Sequence, residues 1–437
     1  MSDKKNSPTD IAGDSENEVL SVALLRDSLE LSERGNPKPT IGNVVRILKE
    51  DPKLKGAIRL NELTGRIDIV RNLGWHREGE VLTDTDMAYL TYYIEEKYGI
   101  SVQASIEKGI QVVSNENRYH PIRDILDRLI WDGTPRVNNM LTHFFGVEKT
   151  ELTGEAMKLF MLGAVCRVYK PGIKFEISLC IVGEQGAGKS TFFRFLAIKD
   201  EYFSDDLKRL DDDKIVIKIQ GHWIMEMPEM LATLNSKLVE EIKSFLSRDK
   251  DTYRTPYEKH PKDRKRQCVF GGTSNKLEVL PMDKSGNRRI IPVEACMERA
   301  EVHIMDNEID SRAYILQAWA EIMEIYRGGC FSLTLSPYLK AELSKYQERF
   351  TPEDVDAECI RDFLANTEED YVCVKMIAYE ALGFSSNDTI RKSDSNRISE
   401  IMHHFDDWVS VGTRNVAKYG KARAWKRTKN EATKPGN

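Results

Sequence analysis

The chain has 437 residues, 31% of them charged and 41% hydrophobic, with a formal net charge of −6. That length gives room for a large core split over roughly two to four domains. No run approaches the about 18 apolar residues of a membrane span. The seven cysteines include no C-x-x-C pair, which excludes a zinc ribbon and a disulfide framework and suits a reducing cytoplasmic setting.

Residues 1–18 are polar and lack the apolar core of a signal peptide, so they read as a disordered tail. Residues 19–117 read as a small α+β unit. Val44, Val45, Ile47 and Leu48 give helical spacing over residues 41–54. Two short strands, 57–60 and 67–70, are joined through Thr64 and Gly65. Asp84-Thr85-Asp86 precedes an amphipathic run starting at Met87 and reads as a helix cap. A metal-holding D-x-D pair is the other reading, but a helix rather than a strand follows. Residues 118–172 are mostly helical, with a break at Gly133 and Pro135 and an end at Pro171-Gly172, and are expected to form a helical collar.

Residues 173–345 carry the chemistry. Gly183-Glu184-Gln185-Gly186-Ala187-Gly188-Lys189-Ser190 fits G-x-x-x-x-G-K-[ST]. An apolar strand-like run, 177–182, precedes it and a helical run, 191–197, follows. Strand, glycine loop and helix are what a triphosphate cradle needs, because backbone N–H groups and a helix N-terminus then converge on phosphate oxygens. The ATP-binding residues are thus Gly183, Gln185, Gly186, Ala187, Gly188, Lys189, Ser190 and Thr191. Lys189 reaches the β- and γ-phosphates, and Ser190 ligates Mg²⁺.

A cradle of this kind needs an acidic group to hold Mg²⁺ and polarise water. Glu226, expected at the end of a short strand 223–225, is the first choice, and Glu229 beyond Pro228 is the second candidate for the same task. Farther on, 267–272 is an apolar strand leading to Thr273-Ser274-Asn275, where Asn275 suits a water- or γ-phosphate-sensing role. Arg288 and Arg289 leave a Gly-Asn turn and enter the strand 290–293. Side chains alternate across a strand, so the two point opposite ways. One would reach a neighbouring subunit's γ-phosphate, and the other would form a structural ion pair. Residues 311–326 form a strong helical pattern.

Basic charge is concentrated in two places. Residues 248–266 hold eight basic side chains against four acidic, and 411–437 hold eight against Glu431 alone. Local patches of this kind, rather than the net charge, set affinity for nucleic-acid phosphates. Residues 354–428 contain helical patterns at 372–382 and 393–405 and two strands, 408–411 and 424–427, around a basic turn 418–421. That unit resembles a winged-helix domain, with Lys418, Lys421 and Arg423 as its DNA contacts. Residues 429–437 read as a disordered basic tail.

The ordered set of motifs resembles the virulence-associated E family of phage and genomic-island replication proteins, which are related to superfamily-3 helicases. It comprises Trp131-Asp132-Gly133-Thr134-Pro135-Arg136, Lys170-Pro171-Gly172, the glycine loop, and Trp223-Ile224-Met225-Glu226 with Glu229. Lys243-Ser244-Phe245-Leu246-Ser247-Arg248, Asp251-Thr252-Tyr253-Arg254-Thr255-Pro256-Tyr257, Gly272-Thr273-Ser274-Asn275 and Gly286-Asn287-Arg288-Arg289 complete it. The likeness covers roughly residues 118–330. It implies an α/β P-loop NTPase core of superfamily-3 or AAA+ type, assembled as a homo-oligomeric, hexameric ring with ATP between subunits. It also implies a channel hairpin that grips single-stranded DNA, with Lys259 and His260 at the tip and Arg254, Lys262 and Arg264 beside them. Long members carry a primase domain in front. This chain has no room for one, so a primase would be a separate partner. The resulting expectation is an Mg²⁺-dependent ATPase driving a DNA helicase or translocase. The alternative is a non-processive DNA-binding ATPase such as an origin-binding initiator, loader or interference factor.

Overall fold

The computed structural model describes residues 19–207, 215–228, 236–253, 261–281, 284–352, 354–385 and 388–428. They form two compact units, one ending at Thr351 and the other beginning at Pro352. Among the described residues no helix is long and apolar enough to cross a membrane.

In the first unit a helical stretch over 19–27 is followed by the helix Ile41–Glu50, capped by the Thr40 hydroxyl, which accepts from the Asn43 N–H and lets Val44, Ile47 and Leu48 turn inward. The helix stops at Glu50, short of the 41–54 span expected from its spacing. Pro52 follows, and Asp51 turns its carboxylate onto the Lys53 and Leu54 N–H groups instead. Strands β1 (Ile58–Asn61), β2 (Ile67–Ile69) and β3 (Arg118–Tyr119) form a small sheet in the order β2-β1-β3. The tight β1–β2 hairpin turns at Gly65, whose φ of +67° favours glycine. The helix Asp84–Tyr98 is capped by Thr83, one residue earlier than the sequence pattern suggested, with Asp86 as the reciprocal partner. Burial raises the Asp86 pKa, but hydrogen bonds from Arg77, Trp75 and Thr83 bring it down to about 2. Asp86 is therefore a structural anchor, as the capping reading required.

The core sheet comprises β4 (Ser178–Val182), β5 (Phe203–Ser204), β6 (Ile224–Pro228), β9 (Val269–Ser274) and β10 (Ile290–Glu294), in the order β10-β4-β9-β6-β5. All four pairings are parallel. Alternation along the strands divides the apolar side chains between two faces. Leu179, Ile181, Ile291 and Val293 join one cluster, and Cys180, Val182, Met225, Met227 and Phe270 join the other. The first face is covered by the helix Glu151–Tyr169, which is apolar nearly all round and buried along most of its length. Trp223 and Trp319 lock the layers with rings 4.5 Å apart. Their indole N–H groups donate to the Ala164 and Leu196 carbonyls at 3.0 Å. Residues 122–168 thus share one core with the sheet. Between β6 and β9 the antiparallel hairpin β7 (Lys250–Tyr253) and β8 (Lys262–Lys265) projects from the core.

The second unit has the helix Val355–Asn366, β11 (Tyr371–Cys373), the helix Lys392–Met402, β12 (Trp408–Val416) and β13 (Gly420–Arg427). Its antiparallel sheet runs β11-β13-β12 over Ile360, Val372, Ile377, Ile398 and Trp425. Two expectations change here. Residues 371–373 are a strand that pairs with β13, so the helical pattern begins only at Val374. The two terminal strands are also longer than the apolar runs that signalled them, because their outer halves are polar and solvent-facing.

Gly271 sits where the helix Lys189–Leu196 crosses β9, and a methyl group there would run into the Phe193 ring. Gly271→Ala is expected to cost about 1–3 kcal/mol through overpacking, seen as a lowered midpoint in thermal or denaturant unfolding.

Candidate functional site

The glycine loop, residues 183–190, leaves the C-terminal end of β4, the second strand from the edge. Gly183 donates its N–H to the Ser274 carbonyl at 3.0 Å, which ties the loop to β9. Gly186 and Gly188 have φ of +90° and +79°, a backbone that suits glycine. The helix Lys189–Leu196 starts at Gly188 with no side-chain cap. Its first N–H groups face the loop, which is the arrangement in which an anion serves as the cap.

Lys189 is almost fully buried. Its ammonium donates to the Gly183 and Glu184 carbonyls at 2.7 Å each and to Asn275 Oδ1 at 2.8 Å. Ser190 donates to Glu226 Oε1 at 2.7 Å, and Thr273 donates to the same oxygen at 2.6 Å. Five residues from three separate stretches are thus joined in two hydrogen-bonded groups, Lys189 with Asn275 and Ser190 with Glu226 and Thr273. Glu226 was expected at a strand end and is instead in the middle of β6, because the ladder to β9 continues through Pro228. It is fully buried, and its Oε2 has no hydrogen-bond partner. Burial pushes its pKa up, and the Thr273 and Ser190 hydroxyls pull against that. Such a carboxylate oxygen, beside a serine hydroxyl, fits a divalent cation. One carboxylate and one hydroxyl are a suitable protein share for Mg²⁺, which keeps several waters and takes further oxygens from phosphates.

Two residues of this site were missed in the sequence. Thr273 stands two residues before Asn275 and so lies on the same side of the chain there, a period-2 signal that was available. His303 Nε2 lies 3.1 Å from the Gly186 carbonyl. Its Nδ1 accepts from the Met305 N–H, so Nε2 carries the proton and donates. Ile304 fills the space beneath Gly188. Nothing local in the sequence announces that residues 303–304 wall the loop.

Arg288 and Arg289 do not enter β10. They close a 3-10 turn, Lys284–Arg289, just before it, so strand alternation does not separate them. Their partners do. Arg289 bonds Glu176 Oε2 at 2.9 Å and the Ser247 hydroxyl at 3.1 Å, whereas Arg288 is exposed. Both stand at the N-terminal edge of the sheet, since Ile290 pairs with Ser178 at the start of β4. The glycine loop is at the other edge, about 15 Å away for a five-residue strand.

Of the proposed DNA-hairpin residues, Arg254, Lys259 and His260 lie outside the described residues, as does Glu229. Lys262 is exposed on β8. Arg264 packs over the Tyr253 ring, 5.1 Å from its centre, and against Gly65. The base of the hairpin is fixed by the buried pair Arg266–Asp251, with bonds of 2.6 and 3.0 Å, set on the Phe245 ring. The N-terminal sheet reaches this base. Gln267 donates to the Glu62 carbonyl at 2.8 Å, Gln220 donates to the Thr64 carbonyl, and Tyr253 donates to Gln220 Oε1 at 3.0 Å. In the second unit Lys418, at the β12–β13 turn, and Lys421 and Arg423, on β13, are exposed. Lys418 is 3.4 Å from Glu380.

A model of the Virulence-associated protein E-like domain matches residues 126–352, just over half of the chain. The chain belongs to the virulence-associated protein E-like family. The matched stretch holds Lys189, Ser190, Glu226, Thr273, Asn275, Arg288 and the β7–β8 hairpin, and excludes the N-terminal sheet and nearly all of the second unit. Among solved structures the chain is similar to the A form apo structure of the NrS-1 C-terminal region, residues 305–718. The identity is 16%, over 85% of this chain and 96% of that one, with a TM-score of 0.49. A further apo structure of that region aligns at 15% identity over the same shares, with a TM-score of 0.48. No curated protein matches the chain.

A buried carboxyl group with a raised pKa stabilises the fold only while it is protonated. That contribution is complete below the ordinary carboxylate range and is lost as pH rises through the raised value. Without divalent metal, Glu226→Gln is therefore expected to be more stable than the parent at neutral and alkaline pH. The gap should narrow as the pH falls toward the ordinary carboxylate range. A gain of about 1 kcal/mol would raise Tm by about 2–4 °C, measurable by calorimetry in chelator.

Proposed function

We propose that the chain is an ATP-driven DNA helicase or translocase of superfamily-3 type, working in phage or genomic-island DNA replication as a homo-oligomeric ring, hexameric by family resemblance. The observation that carries this reading is the meeting of Lys189, Ser190, Glu226, Thr273 and Asn275 at an uncapped helix N-terminus. In the proposed reaction a water attacks the γ-phosphate of ATP in line and ADP leaves. Ser190 and Glu226 would hold Mg²⁺. That ion would offset negative charge on the phosphates during the transfer.

Lys189 now spends its three N–H bonds on two carbonyls and Asn275. On ATP binding it exchanges these for phosphate oxygens, an exchange of neutral acceptors for charged ones. Asn275 is thereby released to orient the attacking water, with Glu229 as a further candidate for that step. His303 steadies the Gly186 peptide while the loop amides close on the phosphates. Arg288 is too far along the sheet to reach the phosphates of its own copy, so it acts on those of a neighbour. Arg289 stays with Glu176 as the structural partner.

Single-stranded DNA is the polymer moved, gripped through its phosphates by the β7–β8 hairpin with Arg254, Lys259, His260, Lys262 and Arg264. The order helix, strand, short helical segment, helix, strand, strand in residues 354–428 supports the winged-helix reading. Lys418, Lys421 and Arg423 would then contact duplex DNA.

Strand separation on a forked duplex with ATP tests the proposal directly. Lys189→Ala should lower ATP turnover by at least about 100-fold and abolish unwinding. The double substitution Lys259→Ala with His260→Ala should keep ATP turnover and lose unwinding. ATP turnover by the parent without any strand separation would leave a non-processive DNA-binding ATPase.

A second prediction concerns the arginines. Arg288→Ala should fold as the parent does and lose turnover. Mixing it with Lys189→Ala should restore part of the activity, because a mixed ring pairs an intact Lys189 with an intact Arg288. Absence of complementation in a ring shown to exchange subunits would remove the trans role. Arg289→Ala should instead lower the melting midpoint.

A further inference from the structure

The two ends of the core sheet carry surfaces that differ in shape and charge. At the N-terminal end, beside Arg288, a cavity of about 540 Å³ opens between the approach to β4 and the helix Pro337–Gln347. Its walls are apolar, with Phe175, Ile177, Leu333, Leu335 and Leu343. Its polar rim carries four cations, Lys174, Arg288, Arg289 and Lys340, against the single carboxylate Glu176. At the other end, beside the glycine loop, the start of the helix Glu308–Gly328 presents Ile309 at 79% exposure and Met305 at 52%. Three carboxylates, Asp306, Glu308 and Asp310, surround these two apolar side chains. Residues 303–304 hold this segment against Gly186 and Gly188, so its position follows the nucleotide loop.

An apolar knob ringed by carboxylates and an apolar cavity ringed by cations are complementary in shape and charge. Within one copy they stand at opposite ends of the sheet and do not meet. We infer that Ile309 and Met305 of one copy seat in the Phe175–Leu343 cavity of the next. Asp306 and Asp310 then face Lys174 and Lys340. This is a head-to-tail contact, which closes into a ring or continues as a filament according to its rotation. It brings the Arg288 edge of one copy to the glycine-loop edge of another, and it places the interface on the segment that braces Gly186. The inference rests on the ring reading above and assigns its surface. Burying an exposed isoleucine and methionine supplies the hydrophobic part, and the charge pairs set partner and register.

Assembly can be followed by sedimentation velocity with Mg-ATP, alongside a thermal melt. Ile309→Glu and Lys340→Glu should each raise the concentration for half-assembly at least tenfold while leaving the melting midpoint unchanged. Lys340→Glu combined with Asp310→Lys should recover a substantial part of that loss. If the parent assembles and the single substitutions leave assembly unchanged, this surface is wrong and the ring stands. If the singles weaken assembly but the exchange does not restore it, the charge pairing is wrong. A parent that stays monomeric with Mg-ATP and DNA overturns the ring reading, and this contact with it.

Discussion

A carboxyl group buried inside a parallel sheet is the constraint around which the site is arranged. Glu226 lies inside a parallel sheet, fully buried, with one oxygen saturated by two hydroxyls and the other bare. A charge in that position is costly unless it is protonated or met by an opposite charge. The strand order makes the position possible. β9 runs between β4 and β6, so the hydroxyl of Thr273 on β9 and that of Ser190 after β4 both reach the carboxylate on β6. The same insertion puts Asn275, just past β9, against Lys189. Removing any one of these strands would separate the group.

How much of this could be read from the sequence depended on the range of the interaction. The glycine loop was legible because its geometry is local: two positive-φ glycines and a helix start within eight residues. Glu226 and Asn275 were found by type and order, but their depth was not. A strand end and a strand middle look alike when Met227 and Pro228 continue an apolar run. The arginine pair was found and its logic was not. Alternation along a strand applies only to residues in a strand, and the Gly-Asn sequence extends a turn through Arg289. Their different partners, Glu176 and Ser247 for one and solvent for the other, come from chain segments far away in sequence. His303 was invisible for the same reason, since more than a hundred residues separate it from the carbonyl it meets.

The N-terminal sheet has no catalytic side chain of its own in this scheme, but it is joined to the moving part of it. Its β1–β2 turn touches the hairpin base through Thr64, Gly65 and Glu62, and Arg264 and Gln220 fill the space that any residue larger than glycine would need at 65. The hairpin base is rigid for a second reason, the buried Arg266–Asp251 pair on Phe245. A bidentate pair of that kind loses much if one member is removed and gains little in stability otherwise, so its natural role is to fix direction. Arg266 and Gln267 stand just before β9, with Cys268 between, so one continuous stretch of chain carries both the hairpin base and Thr273.

The sheet also fixes how far apart Lys189 and Arg288 stand. β4 and β10 are parallel and in register, so every residue entering β10 is displaced from the glycine loop by the full length of β4. No side-chain motion of Arg288 spans that distance, because an arginine reaches about half of it, and no other described cation lies closer along β10. A triphosphate bound in the loop of a single copy would meet Lys189 and the Ser190–Glu226 pair, with Arg288 of that copy at the far end of β4. Separation of the two cations by a rigid strand, rather than any feature of the loop itself, is what keeps Arg288 from the glycine loop of its own copy.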